Sequence, residues 1–558
     1  MIRDLIRSEP GSRALDRGVA LALAAAYVAL LLASTGDLGY ARDEGFYFQA
    51  ARAYRGWLDL LFHDPSVALT RANVDRFWAV NHEHPALMKL TFALCHQLFY
   101  EQLALIPTPG SAYRLGGMLV SSLGVAVTFL WGSRAMGRWG GLLAALSLAL
   151  MPRVFFHSHL AAFDMPVAAL WLTTAYAYQR SLEKRSYVSA LLAALCFGLL
   201  LNTKHNAWLL PIAICLHFAL AQGHSSLRRL RAGEWPLPRA LGILLLLGPL
   251  LFYAGWPWIW FDTLERLTEY VAFHTGHEYY NMEFLGRTYW KPPMPLAYAW
   301  LMTLATVPLA TLLLFTLGVF DSAQAAWRSL RTVGATEAML PGARTSTDLL
   351  WLLAVLINYL PWLSANTPIF GGTKHWLTAY PFLCLLAARG FFRVAAELAP
   401  LVRGRPVAER WVKPLAFASF LLGPLLRTAH SHPWGLSFYT PLVGGAPGAA
   451  TMGFNRTFWG YTTQAVSPYL NRRAPPDAHV YVHDTALQSW DMFVRDGRLR
   501  SDLHGTLAIH ASQLALYHHE PHMGRVEYQI WVDYGTTTPA LIATYDGVPI
   551  TWVYERPR

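Results

Sequence analysis

The sequence predicts a polytopic α-helical membrane protein of about eleven spans, closed by a small C-terminal α/β domain. Three observations carry that prediction. Of 558 residues, 54% are hydrophobic and only 14% charged, with a mean hydropathy of +0.28, a balance far from that of soluble domains. Apolar runs such as 18–34, 244–260 and 308–320 approach the roughly 20 residues that cross a bilayer. Lys and Arg fall in short clusters between those runs, where they orient helices in the membrane.

The spans are read near 18–34, 112–132, 139–156, 164–180, 187–203, 207–222, 239–260, 296–320, 348–364, 375–392 and 412–428. With a basic N-terminus inside, the loops 133–138, 179–186, 224–239, 327–344 and 393–413 are also inside, and each is rich in Lys or Arg. The outer connections 157–163 and 365–373 have neither, as the positive-inside rule requires. Residues 1–428 thus form a transmembrane module that includes two outer loops, 35–111 and 261–295. An odd number of spans puts the remainder, 429–558, outside as a separate domain. Its runs AHVYVHDTA, VEYQIWVDYG and VPITWVYE read as strands, with a mixed stretch at 504–519.

The net charge of +11 is scattered among the loops, which argues against nucleic acid as a partner. Cys95, Cys196, Cys215 and Cys384 sit in apolar surroundings with no C-x-x-C pair, so neither a disulfide framework nor a zinc site is indicated. The N-terminal stretch MIRDLIRSEPGSRALDRG is basic and its span lacks a small-residue cleavage site, so it reads as an uncleaved anchor. No nucleotide-binding fingerprint or glycine-rich phosphate loop is present.

Polar residues unusual for a membrane protein collect on the outer side. The first outer loop holds Asp43 and Glu44 in GYARDEGFYFQAAR, then His82, Glu83, His84 and Lys89 in NHEHPALMKL. HSHLAAFDMP carries His157, His159 and Asp164, and LNTKHNAWLLP carries Lys204 and His205. The loop 261–295 adds His274, His277, Glu278, Arg287 and Lys291, and FGGTKHWLTAYPF adds Lys374, His375 and Tyr380. Ionisable groups at helix ends are costly unless they line a wet cavity, so this convergence predicts one polar site near the outer surface. Carboxylates beside Lys and Arg suit a general base working on an anionic phosphate.

At these residues the chain resembles the GT-C superfamily of glycosyltransferases, in the family of protein O-mannosyltransferases and the lipid A aminoarabinose transferase (glycosyltransferase family 39-like). The resemblance covers roughly residues 20–470. It rests on RDEGFYFQAA, EHPALMKL, FDMPVAAL, LNTKHNAWLLP and KHWLTAYPFLCLLAARG, with HPWGLSFYTPLVGGAPGA and FWGY leading into the outer domain. Ala86 stands where the family usually has a second proline, and His375 where an aromatic is more usual.

The resemblance implies an enzyme of the bacterial inner membrane whose active site and C-terminus are extracytoplasmic. Its donor would be a polyprenyl-phosphate-linked sugar, a hexose or pentose, and its acceptor an extracytoplasmic protein Ser or Thr, lipid A or an envelope glycan. By the same resemblance Asp43 takes the acceptor proton in an inverting displacement. Glu44 orients the acceptor or holds Asp43, and Asp164 organises the first loop. Lys204 and Lys374 meet the donor phosphate, with Arg287 and Lys291 as weaker candidates. His84, His277 and Tyr380 are read as loop-positioning or acceptor-side residues.

Blander readings stand beside these. Asp43 and Glu44 suit the first turn of any helix, and Asp164 followed by Pro166 suits a helix start. Lys204 and Lys374 could snorkel to lipid headgroups. The histidine pairs leave a divalent metal open, with His82, His84, His274 and His277 as weak candidate ligands, although none has the helical spacing that specifies zinc. A transporter or flippase of lipid-linked sugars is the alternative function; it would place charges at the middle of broken helices in related halves.

Overall fold

The computed structural model describes residues 12–235, 237–333, 339–402 and 406–557. The first eleven residues of the basic N-terminal stretch, and parts of the basic loops at 236, 334–338 and 403–405, lie outside the described residues.

A helix is found in every stretch read as a span. Five of the described helices are long and apolar enough to cross a membrane, or six if one bent pair counts as a single span. Three predicted stretches are broken at a proline, one of them where Arg239–Gly255 gives way to the short turn Pro257–Trp260 through Trp256. Arg138–Ala149 and Pro152–His159 meet at 69°, because Met151 is extended ahead of Pro152 and the ring supplies no N–H to continue the ladder. Tyr298–Thr306 gives way to Leu309–Val333 through Val307, extended in the same way before Pro308. The break at Pro152 matters most, since it turns Arg153, His157 and His159 into the protein interior, where all three are buried.

Close helix contact depends on small residues. A Cβ on Gly318 would lie 1.8 Å from the Leu386 carbonyl oxygen, and one on Gly390 would lie 1.9 Å from that of Leu314. The helices Leu309–Val333 and Tyr380–Val402 therefore approach backbone to backbone, as small-residue contacts in membranes allow. Trp131, Trp171, Trp351 and Phe382 fill the adjoining core.

Outside the bundle, loop 261–295 ends in a short hairpin of β1 (Met282–Phe284) and β2 (Arg287–Tyr289). The C-terminal region holds a five-stranded mixed sheet: β3 (His479–Tyr481), β4 (His504–Thr506), β5 (Leu514–His518), β6 (Leu541–Tyr545) and β7 (Val548–Glu555). Their spatial order is β4-β3-β5-β7-β6. β3 runs parallel to β4 and β5, while β7 is antiparallel to β5 and β6.

One expectation is corrected here. VEYQIWVDYG lies in a helix, Gly524–Tyr534, and not in a strand. Val526, Ile530 and Tyr534 recur every fourth residue, and the last two are buried against the sheet. The apparent alternation was a helical stripe read at the wrong period, and Gly535 ends it in the left-handed conformation.

Candidate active site

The helix Arg42–His63 starts from an extended Ala41. Its third residue, Glu44, accepts the Ala41 N–H at 2.9 Å and so closes the first turn. Arg114 grips the same carboxylate, donating from Nε at 2.8 Å and Nη2 at 2.7 Å, and the Ala161 N–H adds a bond of 2.9 Å. These bonds occupy the about four lone-pair positions a carboxylate offers. Neither side chain of the pair has any exposed surface. Arg114 also donates to the Leu38 and Gly39 carbonyls, which ties the approach to Asp43 into the bundle.

Asp43 faces the other way. Its side chain is 31% exposed, and its partner is Lys374 Nζ at 3.4 Å. Lys374 is held from below by aromatic rings, with its ammonium 4.3 Å from the centre of Trp459 and 4.9 Å from that of Phe370. It follows a turn that needs glycine. Gly371 and Gly372 both have φ of +68°, and a Cβ on Gly371 would sit 2.7 Å from Lys374 Cε and 2.8 Å from Trp459 Nε1. Trp459 itself is left-handed, with φ of +64°, a costly conformation for a bulky residue that the surroundings must enforce. Its carbonyl accepts the Arg42 N–H at 2.8 Å, so one strained residue touches both the Asp43 turn and the Lys374 ammonium.

A second acid–base pair lies within electrostatic reach. Asp164 opens the helix Asp164–Lys184, where Pro166 is tolerated in the first turn. Lys204 Nζ donates to its Oδ1 at 2.6 Å, and His157 Nδ1 stands 4.0 Å from its Oδ2. Lys374 acts on both Asp43 and Asp164. The bundle thus brings Asp43, Asp164, Lys204 and Lys374 together at one end, from four separate connections.

The C-terminal region fastens this end. Ser489 Oγ donates to the Ala41 carbonyl at 2.9 Å, Arg498 Nη1 donates to the Leu38 carbonyl at 2.6 Å, and Gly110 N–H donates to Asp496 Oδ1 at 3.0 Å. The Tyr40 hydroxyl also donates to Asp496. Two half-buried acids of this region lie within reach of the Arg42 charge. Burial pushes the Asp484 carboxyl up, with His483 and Arg42 opposing. Burial, then the Asp484 charge, pushes Glu520 well above the usual carboxylate range. His522 bridges Glu520, at 3.3 Å, to Glu283 on β1, at 3.2 Å.

The remaining predicted residues fall around this group. Arg287 is exposed and lies over the Tyr289 ring at 4.9 Å, and Lys291 is exposed beyond the hairpin; among the described residues neither bonds to the four central groups. His277 stacks on Phe370 with ring centres 4.7 Å apart, at the rim of the Lys374 pocket. Tyr380 is buried in the first turn of its helix. The His84 carbonyl accepts Lys89 Nζ at 2.8 Å, and its ring meets Phe163 and Tyr47. His82 bonds to Glu269 at 3.1 Å, and His274 Nε2 to the Glu83 carbonyl at 2.9 Å. Among the described residues no group of three or more His, Cys, Asp or Glu is arranged to hold a metal ion, and the four cysteines are free.

Sequence reasoning did not single out Arg114, Arg153, Trp459, Asp484 or Glu520. A signal existed for the arginines: each is a charge inside or beside an apolar run, which calls for a partner.

Residues 83–253 match the family described as dolichyl-phosphate-mannose-protein mannosyltransferase, a stretch that carries Asp164 and Lys204. No curated protein sequence matches the chain. Among solved structures, the chain is similar to ArnT from Cupriavidus metallidurans in the apo state, at 15% identity and a TM-score of 0.48, covering 96% of this chain and 98% of that one. It is also similar to the same protein bound to undecaprenyl phosphate, at 14% and 0.44 with 98% of each covered. A third is the apo oligosaccharyltransferase of Archaeoglobus fulgidus, at 10% and 0.44 with 82% and 64% covered. Over residues 83–253, the stretch that holds Asp164 and Lys204, the chain is thus similar to the dolichyl-phosphate-mannose-protein mannosyltransferase family.

Proposed function

We propose that this chain transfers a sugar from a polyprenyl-phosphate donor to an extracytoplasmic hydroxyl, with Asp43 as general base. The observation that carries the reading is the Asp43–Lys374 contact of 3.4 Å: a carboxylate open to solvent beside a cation. The family matched over residues 83–253 adds support, since its members are described as taking mannose from dolichyl phosphate.

In this reading the acceptor oxygen attacks the anomeric carbon as its proton passes to an Asp43 oxygen. The bond from that carbon to the phosphate oxygen breaks, and its electron pair leaves with the polyprenyl phosphate. Attack opposite to the leaving group inverts the anomeric centre. Lys374 and Lys204 offset the charge that develops on the phosphate, and Asp164 holds Lys204 in place. Glu44 holds the turn that presents Asp43. Arg287 and Lys291 lie on the outer approach, with His84, His277 and Tyr380 shaping the walls. Eleven spans in residues 1–428, an inner-membrane location, and an extracytoplasmic region 429–558 belong to the same proposal. The acceptor is a protein hydroxyl, lipid A or an envelope glycan.

The test is transfer of labelled sugar from a polyprenyl-phosphate donor by the purified full chain in lipid, with each acceptor class offered in turn. Wild type is expected to label one of them and Asp43→Asn none. Transfer by Asp43→Asn at the wild-type rate would remove the general base, and no binding of polyprenyl phosphate by wild type would remove the donor.

A further inference from the structure

Arg153 presents a problem that the mechanism above does not use. It lies one residue past the proline break, on the short helix Pro152–His159, and only 1% of it is exposed. Its guanidinium lies between the rings of Tyr439 and Phe458, 5.2 and 5.4 Å from their centres. Among the described residues none of its three side-chain nitrogens makes a hydrogen bond of ordinary geometry, its polar neighbour being the Tyr439 hydroxyl, and no carboxylate pairs with it. A buried guanidinium in that state is far more costly than either a paired or an exposed one.

The unpaired charge lies against the Lys374 turn. A Cβ on Gly372 would stand 3.1 Å from Arg153 Nη1 and 3.2 Å from Phe458, while one on Gly371 would stand 3.0 Å from Lys374 Nζ. The glycine pair thus lets two cations close on a single stretch of backbone. The neighbouring aromatic residues, Phe458 and Trp459, back one cation each. Thr373, in the same turn, is buried and its hydroxyl also lacks a partner. Charge points the same way. Asp43 pairs with Lys374 and Asp164 with Lys204, which leaves Arg153 as the uncompensated cation of this inner group. A phosphodiester carries the single negative charge that would balance it.

We infer that Arg153, with the Gly371–Lys374 turn and the Thr373 hydroxyl, forms the anion site that holds the phosphate of the polyprenyl donor and of the leaving polyprenyl phosphate. The inference rests on the donor reading above and names the residue that reading lacked. Arg153 supplies planar, paired donors to phosphate oxygens where Lys374 acts as a point charge.

The experiment measures binding of undecaprenyl phosphate to the purified full chain in nanodiscs, by thermal stabilisation and by native mass spectrometry. Undecaprenol and inorganic phosphate serve as comparison probes, separating the tail and the free anion from the joined ligand. Wild type is expected to bind the lipid phosphate. Arg153→Gln is expected to bind it at least about tenfold more weakly, Arg153→Lys at an intermediate strength, and Thr373→Val a few-fold more weakly. Unchanged binding by Arg153→Gln overturns the inference while leaving the donor reading intact. Should Arg153→Gln not fold, wild-type affinity in both Arg153→Lys and Thr373→Val overturns it equally. Absence of binding by wild type overturns the donor reading itself.

Discussion

Asp43 and Glu44 are adjacent in sequence and belong to opposite kinds of site. Glu44 is sealed, saturated with hydrogen bonds and paired bidentately with a buried arginine. Asp43 is one-third exposed and has a single, longer contact to a lysine. The difference teaches how a helix start can serve two purposes at once. Its first turn presents successive side chains about 100° apart, so one faces the bundle and fixes the backbone while the other keeps solvent exposure and stays available. A carboxylate with every lone pair committed cannot accept a proton without breaking its fastening; one with spare lone pairs can.

Four experiments would break or sharpen that comparison. Asp43→Asn should have the largest effect on turnover, about 10²- to 10⁴-fold as for loss of a general base, with a melting temperature near wild type in differential scanning fluorimetry. Equal losses of folding and activity would place Asp43 with Glu44 as a structural acid. Arg114→Met should act in the reverse order. It leaves the Glu44 carboxylate buried and unpaired, at a cost of about 3–5 kcal/mol, and should appear as lost monodisperse protein in size-exclusion chromatography. Adding Glu44→Gln should recover part of that loss; no recovery would mean the pair is not the source of the damage.

Gly45→Ala tests the fastening from outside. A Cβ there would lie 2.6 Å from the Ser489 backbone nitrogen, so the C-terminal region must shift off the Asp43 helix. We expect lowered turnover with the bundle still folded, read as a change in kcat at near-constant melting temperature, and more than the about 1 kcal/mol expected for removing the hydroxyl bond alone in Ser489→Ala. The smallest effect is expected from Glu520→Gln. Burial and the Asp484 charge raise the Glu520 pKa in the folded state, so the folded state binds the proton more tightly than the unfolded one. Stability falls as pH rises from the unfolded value through the folded one. The amide should therefore flatten the loss of melting temperature above about pH 5, and an unchanged pH profile would show that Glu520 is not the group responsible.

Much of the central site was legible from residue type and position. Asp43, Asp164, Lys204 and Lys374 stand at the ends of apolar runs, where a charge has few inexpensive places to go, and the fold gathers them. Arg287 and Lys291 looked equivalent in sequence, but the tight β1–β2 turn carries Arg287 outward onto Tyr289. Arg114 and Arg153 were harder to see because their partners are distant or missing: Glu44 is 70 residues from Arg114. The helix Gly524–Tyr534 was misread since valine, tyrosine, isoleucine and tryptophan satisfy period two and period four together. The clasp between Ser489 and Ala41 spans 448 positions, and no local pattern encodes it.

That clasp orders events in the life of the chain. The turn bearing Asp43 leaves the ribosome early, whereas Tyr40, Ala41 and Leu38 gain the bonds to Asp496, Ser489 and Arg498 only when residues 489–498 have been made. Until then the Asp43 turn is held by Glu44 and Arg114 without that clasp. A nascent or proteolytically clipped chain would carry Asp43, Asp164, Lys204 and Lys374 yet hold the Asp43 carboxylate more loosely, so the site tightens only once the C-terminal region has docked.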